Sequence, residues 1–158
     1  MAADFQPTEN IRRAGGGNVG RIFATQARRF PNDIALVDGA NGDESLTYAQ
    51  LNKRVNQLAH VMLERGVGVG DRVGLLSRNC GPFIEVDLAA AKIGAITTSL
   101  NWRLAPTELH HCIALTTPSL MFTQDVYLPA LEGTKPTRLV FGPEYEAALA
   151  AAPDGEPA

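Results

Sequence analysis

The strongest constraint on the fold lies in the second half of the chain, where short apolar runs alternate with helical stretches. Residues 72–77, 95–100, 119–123 and 138–141 are brief strand-like runs rich in Val, Leu, Ile, Met and Phe. The stretches between them read as helices, weakly so around Tyr127 to Leu131. Near-continuous apolar strands alternating with helices imply a parallel sheet covered on both faces. The predicted fold class is therefore α/β, a mostly parallel sheet with helices on both faces. At 158 residues the chain suits one such domain.

Local signals mark the elements. Residues 1–17 are polar, end in Gly15-Gly16-Gly17 and are expected to be a mobile lead-in. Asn18 is a good N-cap for a helix in which Val19, Ile22, Phe23 and Gln26–Ala27 follow helical spacing. Arg28 and Arg29 suit its negative end, and Pro31 stops it. Residues 34–37 form a strand, Asp38-Gly39 and Asn41-Gly42 a turn, and residues 45–48 the return of a hairpin. Thr47 and Gln50 make a capping-box pattern. Leu51, Val55, Leu58 and Met62 then share one helix stripe, and Gly66 supplies a left-handed C-cap. Pro82 and Pro106 sit in the first turns of two further helices, the second turning Leu109, Cys112 and Ile113 inward. The α/β unit is expected over residues 18–152, followed by a tail over 153–158.

Composition narrows the function classes. The net charge is −3, so no basic footprint for nucleic acid exists and anionic membrane surfaces are disfavoured. No apolar run reaches the roughly 18–20 residues that span a bilayer. No basic-then-apolar leader opens the chain, and Cys80 and Cys112 make neither a disulfide framework nor a metal-type pair. The expected location is the cytoplasm.

Several motifs match by letter and fail by context. Gly15-Gly16-Gly17-Asn18-Val19-Gly20 spells G-x-G-x-x-G, but no strand precedes it, as a dinucleotide site requires. Gly66, Gly68 and Gly70 lack the Lys-Ser/Thr of a phosphate loop and read as a helix cap and turn. His110 and His111 are adjacent on a helix and point about 100° apart, which does not suit a shared metal. No Gly-x-Ser-x-Gly elbow occurs. A flavodoxin-like nucleotide site would need a phosphate loop after the first strand, where Asp38 to Ser45 reads as a polar hairpin turn.

A set of short segments stands in a meaningful order along the chain. They are Asn18-Val19, Phe23, Phe30-Pro31 and Ala35-Leu36; Leu46-Thr47-Tyr48-Ala49-Gln50-Leu51; Asn56-Gln57-Leu58-Ala59; and Gly66-Val67-Gly68-Val69-Gly70-Asp71-Arg72-Val73. Asn79, Phe83, Glu85, Leu88-Ala89 and Lys92-Ile93-Gly94-Ala95 follow, then Leu100-Asn101-Trp102-Arg103-Leu104 and Glu108-Leu109. In this order they resemble the N-terminal region of the AMP-forming acyl-CoA synthetases, the acid–thiol ligases of the adenylate-forming family. The resemblance implies the N-terminal subdomain of that fold. It also implies a ligase that joins a carboxylic acid, with a preference for fatty acids, to coenzyme A through an acyl-adenylate.

For the full-length family it implies ATP, Mg²⁺ and coenzyme A. None of these is expected to bind tightly to this chain alone. The family's Ser/Thr/Gly-rich loop ending in lysine, its adenine-binding aromatic segment, its ribose-binding aspartate and its C-terminal lid have no counterpart in these residues. The chain thus reads as ending before the ATP site, so no catalytic residue is carried over and the isolated chain is expected to be inactive. One binding residue is implied: Arg103, near the nucleotide phosphate of coenzyme A, the alternatives being a structural salt bridge or an exposed arginine. The alternative is a non-catalytic α/β module that pairs with another chain, either the remainder of the ligase or a second copy, through an exposed sheet edge.

Overall fold

The computed structural model describes residues 19–39, 42 and 44–157. The expected lead-in, the Asn18 cap and Asn41 of the hairpin turn lie outside the described residues. Helix α1 (Val19–Arg29) leads into an antiparallel hairpin of β1 (Ile34–Asp38) and β2 (Glu44–Thr47). Helix α2 (Tyr48–Glu64), β3 (Arg72–Leu76), α3 (Gly81–Ile93), β4 (Ile96–Ser99) and α4 (Pro106–Thr116) follow. The chain continues through β5 (Leu120–Thr123), a 3₁₀ helix (Asp125–Leu131), β6 (Thr137–Val140) and α5 (Pro143–Ala151).

Strands β3 to β6 make one four-stranded sheet in the order β4-β3-β5-β6, with every pair parallel. Right-handed crossovers then dictate which helix covers which face. The chain moves one way from β3 to β4 and the opposite way from β4 to β5. Helices α3 and α4 therefore fall on opposite faces. The two cores follow this division. Val73, Leu75, Leu120, Phe122 and Leu139 pack with α2, α3 and α5 on one face. Leu76 and Met121 point the other way and pack with Leu109 and Ile113 of α4 and Leu131 of the 3₁₀ helix. Adjacent strand residues thus feed different cores, as the two-residue period of a strand requires.

Helix α2 forms as its sequence predicts. Thr47 Oγ1 accepts the Gln50 N–H at 3.3 Å, and Gln50 Oε1 accepts the Thr47 N–H at 2.8 Å, so both halves of the capping box close. Leu51, Val55, Leu58 and Met62 are all buried. At the far end Gly66 has a φ of +81°, the left-handed conformation that a glycine adopts without a Cβ clash.

Helix α1 forms where expected, but only part of its spaced apolar set faces inward. Val19 and Ile22 are exposed, while Gly20, Ala24 and Ala27 are buried and Phe23 is partly so. Close approach explains it. A Cβ on Gly20 would lie 2.7 Å from the Lys92 backbone of α3, so a face of small residues is what lets the two helix backbones meet.

Residues 152–157 do not hang free of the domain. Asn56 Nδ2 donates to the Asp154 carbonyl at 2.8 Å, and Lys92 Nζ meets Glu156 Oε2 at 2.6 Å. Lys92 Nζ also donates to Asn52 and Asn56, which leaves its side chain 3% exposed. Burial pulls the Lys92 ammonium below its ordinary range, against the opposing pull of Glu156. Burial tends to raise the Glu156 carboxyl, but the bonds from Lys92 and Asn52 outweigh it and hold that group below its ordinary range.

Candidate functional site

The sheet order determines where a ligand would sit. The chain leaves β3 for a strand on one side and then returns for a strand on the other. Open α/β sheets bind ligands outside the carboxyl ends of the strands, at such a reversal point. Here a crevice of about 450 Å³ opens there, lined by Arg78, Asn79 and Cys80 after β3, Pro82 and Glu146 from the helices, Gln124 and Asp125 after β5, and Phe141 and Gly142 after β6. Gln124 Oε1 accepts the Arg78 N–H at 3.0 Å and so ties the two central strand ends together.

Arg103 lies beside this edge, on the loop after β4. Asn101 Oδ1 accepts the Arg103 N–H at 3.0 Å and shapes the loop. The Arg103 guanidinium carbon sits 4.5 Å from the centre of the Trp102 ring. The guanidinium carbon of Arg78 sits 4.8 Å from the centre of the same ring. Two arginines from neighbouring strand ends are thus gathered on one indole. Neither takes part in an ion pair among the described residues. The sequence singled out Arg103 alone. Arg78 carries no motif, and only its place directly behind an apolar strand could have marked it.

One wall of the crevice is held by a buried polar network. Arg54 on α2 donates to both oxygens of Glu85 on α3 and to both oxygens of Glu146 on α5, the latter at 2.7 and 2.8 Å. Tyr145 Oη donates to Glu85 Oε2 at 2.6 Å. Glu85 is 1% exposed, so its charge is compensated wholly inside the protein. The hydrogen bond to Glu146 and then the Glu85 contacts raise Arg54 further above its ordinary range, against the opposing effect of burial. Burial, and then the adjacent Glu85 carboxylate, push the Tyr145 hydroxyl well above the usual phenol range, so it remains a donor. This network is structural: it joins three helices and orients Glu146 at the crevice.

The remaining sequence candidates lie elsewhere. Asp71 Oδ2 accepts the Gly68 N–H at 2.8 Å, which makes the glycine-rich stretch a closed turn at the amino edge of the sheet. His110 Nε2 lies 3.1 Å from the Ala130 carbonyl oxygen and His111 is exposed, so the pair does not converge. A hollow of about 580 Å³ opens between α4 and residues 133–137. It is larger than the crevice, but it lies at the amino ends of β5 and β6, away from the edge where parallel sheets bind ligands. Cys80 and Cys112 are both free thiols. Among the described residues no trio of His, Cys, Asp or Glu is placed to hold a metal ion, and no helix is long and apolar enough to cross a membrane.

Comparison with known proteins converges on one group. Residues 23–154 match the family described as AMP-binding enzyme. The chain is 43% identical over 81 residues to a medium/long-chain-fatty-acid–CoA/3-oxocholest-4-en-26-oate–CoA ligase of Mycobacterium marinum, covering 51% of this chain and 14% of that protein. It is 34% identical over 133 residues to the mitochondrial medium-chain acyl-CoA ligase ACSF2 of Macaca fascicularis, covering 77% and 21%. Among solved structures, the N-terminal domain of FACL13 from Mycobacterium tuberculosis aligns with a TM-score of 0.82 at 28% identity, covering 90% of this chain and 38% of that one. A benzoate CoA ligase from Burkholderia xenovorans shares the fold at a TM-score of 0.81 and 19% identity, covering 90% of this chain and 30% of that one. The chain spans about a fifth or less of the length of these curated relatives.

Proposed function

The chain belongs to the AMP-binding enzyme family, and on that premise we propose that it is the N-terminal portion of an ATP-dependent ligase that joins a carboxylic acid, of the fatty class, to coenzyme A. The observation that supports this reading is the match over residues 23–154, together with relatives named as fatty-acid–CoA ligases. A carboxylate is a poor electrophile. In the complete reaction ATP supplies an adenylyl leaving group, and the coenzyme A thiol takes the acyl group.

The residues of this chain fit one part of that chemistry. No Gly-rich loop ending in lysine occurs in the sequence, and no trio of metal ligands forms among the described residues. Adenylation is therefore assigned to the rest of the ligase, and the chain alone catalyses neither half-reaction. The guanidinium of Arg103 suits a coenzyme A phosphate, because its planar donors match phosphate oxygens. Its place behind β4, at the carboxyl edge, would orient the nucleotide end of the coenzyme. The test is Arg103→Ala in a full-length ligase carrying this segment. The apparent KM for coenzyme A should rise while adenylate formation is spared, and an unchanged coenzyme A dependence would overturn the assignment.

A second reading, a non-catalytic module that pairs with another chain, is favoured by one feature. Strands β4 and β6 end the described sheet without further partners, and Ile96 on the β4 edge is 53% exposed. Open strand edges invite pairing. Co-expression with the downstream region of a ligase should then give a complex that co-purifies. A chain that stays monomeric beside it would rule this reading out.

A further inference from the structure

We propose that Arg78 and Arg103, gathered on Trp102, form a two-arginine clamp for a polyphosphate anion at the carboxyl edge of the sheet. In assigning Arg103 to a phosphate the inference rests on the coenzyme A reading above; its other half, Arg78, comes from geometry alone. Two like charges at the ends of neighbouring strands repel each other. Here they stand within 4.8 and 4.5 Å of one ring centre, with no carboxylate ion-paired to either among the described residues. The ring face offers each cation a weak attraction. A phosphate oxygen pair offers a guanidinium a stronger, bidentate one. An anion that reaches both groups also relieves their mutual repulsion, which a single arginine could not provide.

The surroundings hold the pair in place. The backbone of Arg78 is fixed by Gln124 across the reversal point, and that of Arg103 by the Asn101 side chain. The charge is local: the chain as a whole carries −3, so attraction of an anion to this edge comes from the pair and not from the overall field. Coenzyme A carries a diphosphate and a 3′-phosphate, and inorganic pyrophosphate carries the same oxygens without the nucleoside. Either could supply the ligand.

Trp102 is the sole tryptophan of the chain, so it reports directly on its two cations. The experiment titrates the 158-residue chain with inorganic pyrophosphate while following Trp102 emission, and repeats the titration with coenzyme A and with dephospho-coenzyme A. Arg78→Gln and Arg103→Gln are titrated alongside, with far-UV circular dichroism to verify their fold. A saturable emission change is expected with pyrophosphate. Each substitution should weaken it by about tenfold or more, as loss of a charge-assisted bidentate contact implies. No saturable change, or affinity left unchanged by both substitutions, overturns the clamp, while the Arg103 assignment is decided separately by the coenzyme A KM of Arg103→Ala in the full-length ligase. Dependence on Arg103 but not Arg78 overturns the clamp and leaves the coenzyme A reading standing. Dependence on both arginines for pyrophosphate, with no binding of coenzyme A, supports the clamp and overturns the coenzyme A reading. Tighter binding of coenzyme A than of its dephospho form supports both and places the 3′-phosphate on the pair.

Discussion

Replacing Arg54 by Met should destabilise the domain through Glu85. Arg54 supplies two donors to a carboxylate that is 1% exposed, and after the substitution only Tyr145 Oη among the described residues remains to compensate that buried charge. Removing one partner of a buried ion pair costs about 3–5 kcal/mol. Arg54 is itself 25% exposed, so water reaches part of the gap and the Tyr145 bond persists. A loss of about 2–3 kcal/mol is therefore expected. Glu146→Gln should cost under about 1 kcal/mol, because that carboxylate is 52% exposed. The triple change Arg54→Met with Glu85→Leu and Tyr145→Phe should recover much of the first loss, since it leaves neither a buried charge nor a buried hydroxyl without a partner. Urea unfolding followed by circular dichroism, with the m-values compared, measures all three. An Arg54→Met shift of less than about 0.5 kcal/mol, or a triple variant no more stable than the single one, would refute this role of Glu85.

Two further substitutions probe the framework. Asp38 Oδ2 accepts the Gly81 N–H at 2.6 Å and so caps α3 from the hairpin; Asp38→Ala should lower stability by about 1–2 kcal/mol in the same urea assay. Burial raises the Asp87 carboxyl above its ordinary range, a bond from Thr97 partly opposing it, so its folded value lies above its unfolded one. Its contribution to stability is then complete below the unfolded value near 3.8 and is lost as pH rises through the folded value. Asp87→Asn should accordingly raise the urea midpoint at pH 7 and give no gain at about pH 3.

Local signals made much of the fold legible in the sequence. The Thr47–Gln50 box and the Leu51-to-Met62 stripe lie within single helical turns or along one helix face, where spacing alone decides the outcome. The parallel sheet followed from apolar strands separated by helices. The face of α1 was only partly legible: Phe23 and Ala27 turn inward, but Val19 and Ile22 point outward, because burial there is decided by backbone approach at Gly20, which no hydrophobic pattern records. The Arg54 network was illegible because its members lie 31, 60 and 92 residues apart. Arg78 became a site residue only once the order β4-β3-β5-β6 set the end of β3 beside that of β4.

The central claim, that the chain is one portion of an acyl-CoA ligase, is tested most directly by ATP–pyrophosphate exchange with a fatty acid. It should be measured on the purified chain and on the chain co-expressed with the downstream region of a ligase. The chain alone should give no exchange, and the co-purified pair should give it. Exchange clearly above blank from the chain alone would contradict the claim.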